Sequence, residues 1–382
     1  MDWRVPLADL DFGQEEEEAV LAVLRSKWLT MGSVAQAFET EFGAYHGAKN
    51  ALAVSNATQA LHLACLALGI GPGDEVIVPS LSFVATANAV LYTGAEVRFA
   101  DILGPEELTI DPSEIERLIT PRTRAVIVMH YAGYPCRMAE IMTIAERHGL
   151  AVIEDAAHAP GAFLDGKALG TWGAIGCFSF FSNKNLSTGE GGMLLTASDV
   201  LAEKMRLMRS HGMTSLTYER HKGHAFSYDV VELGYNDRID ELRAALGVAQ
   251  LKKLEHNNAR RTELTHVYWQ ALAPLGIGLP FSQTMQGQPA FHIFPILLPN
   301  GADRLAFMEG LRDAGIQSSI HYRPIHTFSY YQGRFGIQHL PRTENAAARE
   351  VTLPLYPTMG DDAVQLVAGA VMKALQHQAV GL

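Results

Sequence analysis

Between about residue 50 and residue 196, short β-branched runs alternate with stretches of helical periodicity, and this alternation limits the chain to few architectures. Strands spaced in this way are joined by crossover helices, which gives a mainly parallel sheet in an α/β domain. The strand candidates are residues 52–54, 75–78, 96–99, 125–129, 151–153, 177–180 and 193–195. Between them, Leu61, Ala64, Cys65 and Leu68 fall on one helical face, and 138–147 reads as a helix. Two helices precede the sheet, one over 15–25 with Val20, Leu21 and Leu24 inward, and one over 35–45 with Phe38 and Phe42 inward. The acidic run 15–18 complements the dipole of a helix start.

A helix near 239–254 closes this unit. Beyond it, a strand at 291–297 and helices at 304–313 and 362–375 predict a smaller α+β domain, so the expected division is 1–256 and 257–382. A chain of 382 residues exceeds what one core usually supports, in keeping with two units. The segment 211–228 carries His211, His221, His224 and Tyr228 with few apolar anchors, the composition of a long functional surface loop.

A formal charge of -11 and a pI near 5.7 leave no broad basic field, so no nucleic-acid partner is expected. The start MDWRVPLADL lacks a basic segment followed by an apolar signal core, and no later stretch is apolar enough to span a bilayer. The expectation is a cytoplasmic protein without membrane contact. Cys65, Cys136 and Cys177 are odd in number and widely spaced, and the histidines are scattered, so neither disulfides nor a metal site is expected.

In open parallel sheets, ligands bind beyond the carboxyl ends of the strands, which makes the polar residues ending each apolar run the first candidates. In AVIEDAAHAPGA, Asp155 follows a buried run and His158 stands three residues on. A carboxylate there needs a partner. A protonated pyridine nitrogen supplies one, and holding that nitrogen charged strengthens pyridoxal phosphate as an electron sink. Taken alone, Asp155 reads more readily as a helix cap and His158 as a packed histidine.

In GCFSFFSNKNLSTGEGG, Lys184 lies between Asn183 and Asn185, after Ser179 and before Gly189, Gly191 and Gly192, which let backbone pass close to a ligand. A lysine that links to a cofactor needs a phosphate cradle and a depressed pKa. SNATQALHLA suits a loop-to-helix junction whose N–H groups and Thr58 hydroxyl hold an anion, or equally a simple N-cap by Asn56 or Thr58. Phe83 in PSLSF can stack on a pyridine ring, although a single aromatic is more often core.

The succession SNATQAL, VPSLSFVATANA, EDAAHAPGA, SFFSNKNLSTGEGG and LGYNDRIDELRAALG resembles the DegT/DnrJ/EryC1/StrS family of fold-type-I sugar aminotransferases. KWLTMGSVAQAFETEFGAYHGA near the start, and HYRPIHTFSYY with LPLYP near the end, extend the resemblance over nearly the whole chain. It implies a pyridoxal-phosphate-dependent transferase with a large, mainly parallel-sheet domain and a smaller C-terminal domain. Lys184 would carry the cofactor as a Schiff base and shuttle the proton, and Asp155 would pair with the pyridine nitrogen. His158 would stand near the phenolic oxygen, and Phe83 would stack on the ring. Ala57, Thr58 and Ser179 would hold the phosphate, with Asn236 reaching it from the neighbouring subunit of a homodimer with shared sites.

Two departures stand out. Asn56, Ala57 and Thr58 replace a frequent Ser-Gly-Thr, and His158 replaces a frequent Gln. Relatives that dehydrate or deoxygenate carry His in place of the lysine, so Lys184 points to amination. The implied reaction moves an amino group from glutamate to a nucleotide-linked keto sugar. A keto-cyclitol substrate, and a non-catalytic regulatory or binding protein that retains the fold, are the alternatives.

Overall fold

The computed structural model describes residues 3–214 and 228–379. Seven strands form the central sheet: β1 (Asn50–Val54), β2 (Glu75–Pro79), β3 (Glu96–Ala100), β4 (Thr123–Met129), β5 (Ala151–Asp155), β6 (Ile175–Ser179) and β7 (Gly192–Thr196). Their order is β1-β7-β6-β5-β4-β2-β3. β7 pairs antiparallel with both β1 and β6, and the other pairs are parallel, so six strands point one way and β7 opposes them. The carboxyl ends of β1, β2, β4, β5 and β6 therefore open on one edge.

Both faces of the sheet are covered, which is why its strands read as nearly continuous apolar runs. On one face, Ile77, Val126, Val128, Val152 and Met193 pack with Phe38 and Phe42 of helix α2 (Ser33–His46). On the other, Val76, Val78, Ile127, Ile153 and Leu194 pack with Leu61, Ala64 and Cys65 of α3 (Ala57–Ala67). The alternation of neighbours between the two faces is the period of a strand. All three cysteines are buried and free.

Helix α1 (Gln14–Ser26) turns a different face inward from the one its apolar pattern predicts. Glu16 is buried, and its carboxylate accepts from Gly13 N at 2.8 Å, Gln250 Nε2 at 2.8 Å and Lys253 Nζ at 3.0 Å. That anchor puts Val23 inside and leaves Leu21 and Leu24 exposed, at 43% and 49%.

The helix expected near 239–254 runs unbroken over Glu241–Leu272 (α4). Its first half packs on α1 and α2, and its second half on the C-terminal helix Asp361–Ala379. Residue 256, proposed above as the limit of the large domain, lies inside this helix. A second core gathers Leu264, Tyr268, Phe294, Ile296, Phe307, Val351 and Val367 around an antiparallel pair, β8 (Phe294–Leu297) and β9 (Glu350–Leu353). β8 begins three residues later than the pattern predicts. Phe291 has a left-handed φ of 46°, and His292 N donates to Ala132 O at 2.8 Å instead of joining the ladder. The run expected to end at Phe180 likewise stops at Ser179, where the chain enters the loop to β7. Most of segment 211–228, including His221 and His224, lies outside the described residues.

Candidate active site

A cavity of about 760 Å³ lies at the carboxyl edge of the sheet. Asp155, the last residue of β5, is buried at its base. Thr86 Oγ1 donates to Asp155 Oδ2 at 2.7 Å, and Ala157 N donates to Oδ1 at 3.3 Å. Burial pushes the carboxyl above its usual range, against the opposing pull of the Thr86 hydroxyl, the Ala157 N–H and the charges of Lys184 and His130. An acid held this way favours a cation in front of it.

The loop from β6 to β7 carries Lys184. It is closed by Phe180 N donating to Gly191 O at 2.9 Å and Thr188 N donating to Phe180 O at 2.9 Å, and Lys184 N itself donates to Phe181 O. The side chain reaches the cavity with Nζ 3.3 Å from His292 Nε2. Burial pulls its amine down to about 7, partly opposed by Asp155, so near neutrality much of it is the nucleophilic free base.

Asn56 caps α3 by accepting from Gln59 N at 3.0 Å. The Thr58 hydroxyl is thus not needed as a cap, and Ala57 and Thr58, at the helix start whose first N–H groups have no intrahelical partner, line the cavity. Gly192 makes this approach possible, because a Cβ there would lie 2.7 Å from the Asn56 carbonyl carbon and 2.9 Å from Ala57 N. Ser179, buried at the end of β6, lines the same end.

His158 is buried against His292, with ring centroids 4.3 Å apart. Its Nδ1 accepts from Ala132 N at 3.2 Å, which puts the proton of the neutral ring on Nε2, 2.9 Å from the Tyr322 hydroxyl. Burial and the charge of Lys184 hold this imidazole well below its usual pKa. Phe83 stands on the cavity wall, 56% exposed, instead of in the core.

The structure thus brings Lys184, Asp155, His158, Phe83, Ala57, Thr58 and Ser179 around one cavity. Asn236 is exposed, bridges to Ser210, and is not among the residues lining that cavity in its own chain. Sequence reasoning gave no role to Thr86, His292, His321 or Tyr322. A signal existed for His292, a lone histidine inside the apolar run AFHIF.

The donor set fits pyridoxal phosphate. The helix start suits its phosphate, the buried carboxylate its ring nitrogen, the exposed phenyl ring its face, and the depressed lysine its aldehyde. Asn183 Oδ1, buried beside Lys184, also lacks a partner among the described residues, as a group awaiting a ligand would. These walls define a pyridoxal-phosphate-dependent transferase.

Comparison with known proteins narrows the class. Residues 11–372 match the model of the DegT/DnrJ/EryC1/StrS aminotransferase family, and the chain belongs to that family. It is 41% identical over 367 residues to the spore coat polysaccharide biosynthesis protein SpsC of Bacillus subtilis, covering 94% of each chain. Helicobacter pylori PseC, an aminotransferase involved in pseudoaminic acid biosynthesis, superposes with a TM-score of 0.91 at 30% identity, over 99% of this chain and 100% of that one. The PLP form of Spr1654 from Streptococcus pneumoniae, described as a putative sugar aminotransferase, superposes with a TM-score of 0.91 at 25% identity, over 98% of this chain and 99% of that one. The protein is a pyridoxal-phosphate-dependent sugar aminotransferase.

Proposed function

We propose that this aminotransferase takes the amino group of glutamate and delivers it to a keto sugar carried on a nucleotide, as a cytoplasmic homodimer whose subunits share their sites. The observation that carries the reading is the size and division of the cavity. Asp155 and His158 are its buried lining beside Lys184, whereas Tyr92, Phe181 and Glu190 are exposed and line its 760 Å³ with His321, room beyond the cofactor for an extended substrate. SpsC is named for spore coat polysaccharide biosynthesis and Spr1654 as a sugar aminotransferase, and both names support a sugar acceptor.

In this reading Asp155 holds the ring nitrogen in its protonated form, which lets the bound cofactor act as an electron sink. Ala57, Thr58 and Ser179 hold the phosphate and Phe83 covers the ring. His158, whose Nε2 proton meets the Tyr322 hydroxyl, stands on the phenolic side. Lys184 takes and returns the substrate proton at Nζ, a role suited to an amine whose pKa lies near 7. Asn236, exposed and away from its own cavity, is assigned to the partner's phosphate.

Protein loaded with the amino form of the cofactor and given one turnover against a panel of nucleotide-linked keto sugars and free keto-cyclitols tests the substrate class. A nucleotide-linked product, together with thermal stabilisation by a nucleoside diphosphate, is expected. Amination of the cyclitol alone would refute the nucleotide assignment, and failure of glutamate to convert the cofactor would refute the donor.

A further inference from the structure

Two backbone carbonyls fix the polarity of a buried chain of side chains that ends on Lys184. Asn258 Nδ2 donates to Pro160 O at 2.9 Å, which turns its Oδ1 toward Asn185. Asn185 Nδ2 donates to that Oδ1 at 2.8 Å and to Ala290 O at 2.6 Å. Both amide protons are then used, and Asn185 Oδ1 is left facing His292 Nδ1 at 2.9 Å. An amide oxygen only accepts, so His292 carries its proton on Nδ1 and a lone pair on Nε2, 3.3 Å from Lys184 Nζ. Asn258, Asn185 and His292 are all buried.

We propose that His292 is a positioning residue for Lys184: its Nε2 accepts one N–H of the lysine, which fixes Nζ and aims its free direction at the cavity, while Asn185 and Asn258 prevent the ring from switching tautomer. The opposite tautomer would set an N–H against the N–H groups of the ammonium form, and would occupy the nucleophilic lone pair of the free amine. The groups facing Lys184 are Asp155, His158, His292 and His321, and Arg261 lies behind His292. Burial, with the charges of Lys184 and Arg261 beside it, keeps His292 well below its usual pKa, so it orients the amine without competing for its proton.

The backbone is built for the same end. Phe291, just before His292, holds a left-handed φ of 46°, costly for a bulky residue. Ala132 accepts from His292 N through its carbonyl and donates to His158 Nδ1 through its N–H, so one residue sets both imidazoles.

The inference rests on Lys184 as the cofactor lysine, but its test needs no cofactor. Cofactor-free protein is methylated with formaldehyde and cyanoborohydride across the neutral pH range, and modification of Lys184 is read by peptide mass spectrometry. The wild-type midpoint is expected near 7. His292→Leu removes the acceptor that favours the ammonium form, so the midpoint falls by about one pH unit, the scale of a lost charge-assisted hydrogen bond. Asn185→Leu frees the tautomer and moves the midpoint the same way, whereas His292→Gln keeps an acceptor and stays near wild type. Equal falls in His292→Leu and His292→Gln, or a wild-type midpoint in Asn185→Leu folded by circular dichroism, would overturn it. If His292→Leu does not fold, the Asn185→Leu result alone decides. A cofactor that attaches to another lysine would refute the proposed function and leave these midpoints unaffected.

Discussion

The Thr86 hydroxyl donates to Asp155 Oδ2 at 2.7 Å across 69 residues of sequence, and so commits one of the two carboxylate oxygens. With its proton spent there, Thr86 Oγ1 accepts from Ser82 at 2.6 Å. The other oxygen, Oδ1, has among the described residues only the long contact to Ala157 N and is the one available to a ring nitrogen.

Thr86→Val keeps the shape and removes this donor. Since the hydroxyl pulls the pKa of Asp155 down, its loss weakens the carboxylate's hold on a protonated ring. The half-reaction with glutamate should slow about tenfold, with KM little changed, on the scale of one hydrogen bond to a charged group. Stopped-flow single turnovers give the number, and a wild-type rate would make Thr86 a packing residue.

The depressed amine of Lys184 sets a pH dependence. Only the free base attacks an aldehyde, so capture of pyridoxal phosphate by cofactor-free protein should rise with pH and reach half its maximum near 7, far below the 10.5 of an ordinary lysine. The same shift has a stability counterpart. Between 7 and 10.5 the unfolded chain binds the extra proton, so this group's contribution is present above 10.5 and is lost as pH falls to 7. Cofactor-free wild type should gain Tm relative to Lys184→Met as pH rises through that window. A constant difference would mean an unshifted lysine.

Gly192 lies against the phosphate end. A methyl group there would press on the Asn56–Ala57 peptide. Gly192→Ala is expected to weaken the binding of pyridoxal phosphate about tenfold, or about 1.4 kcal/mol, by displacing the helix start. Fluorescence titration measures this, and an unchanged Kd would free the loop from that role.

Much of the candidate site was legible because its parts are local. Asp155, Ser179, Lys184 and Thr58 each end or follow an apolar run, and a parallel sheet collects such ends on one edge. His292 and Tyr322 were not legible as site residues, since their contacts span 108 residues to Lys184 and 164 residues to His158. Only the packing of the second core on the first brings them in. The phase of α1 was misread because a buried, multiply bonded Glu16 sets its inward face, where pattern reasoning expects leucines. The length of α4 was missed because Asn257, Asn258 and Arg261 look like solvent-facing polar residues, yet all three are buried, with Asn258 bonded to Pro160 O and Arg261 to Leu355 O.

The proposed sharing of sites between subunits makes a symmetry prediction. Asn236→Asp, which sets a like charge beside the partner's phosphate, and Lys184→Ala should each be inactive as pure dimers. A mixed dimer then holds one site with both lesions and one with neither, so up to about half the activity per dimer returns. Co-refolded dimers confirmed by mass but without recovered activity would put both residues in the same chain's site.

The central claim is that Lys184 carries the cofactor, and its location by chemistry tests that most directly. Protein loaded with pyridoxal phosphate is reduced with borohydride, digested and sequenced by mass spectrometry. The phosphopyridoxyl group is expected on Lys184 and on no other lysine, and Lys184→Ala should show neither the label nor turnover. A label on a different lysine, or a Lys184→Ala protein with full aminotransferase turnover, would contradict the account.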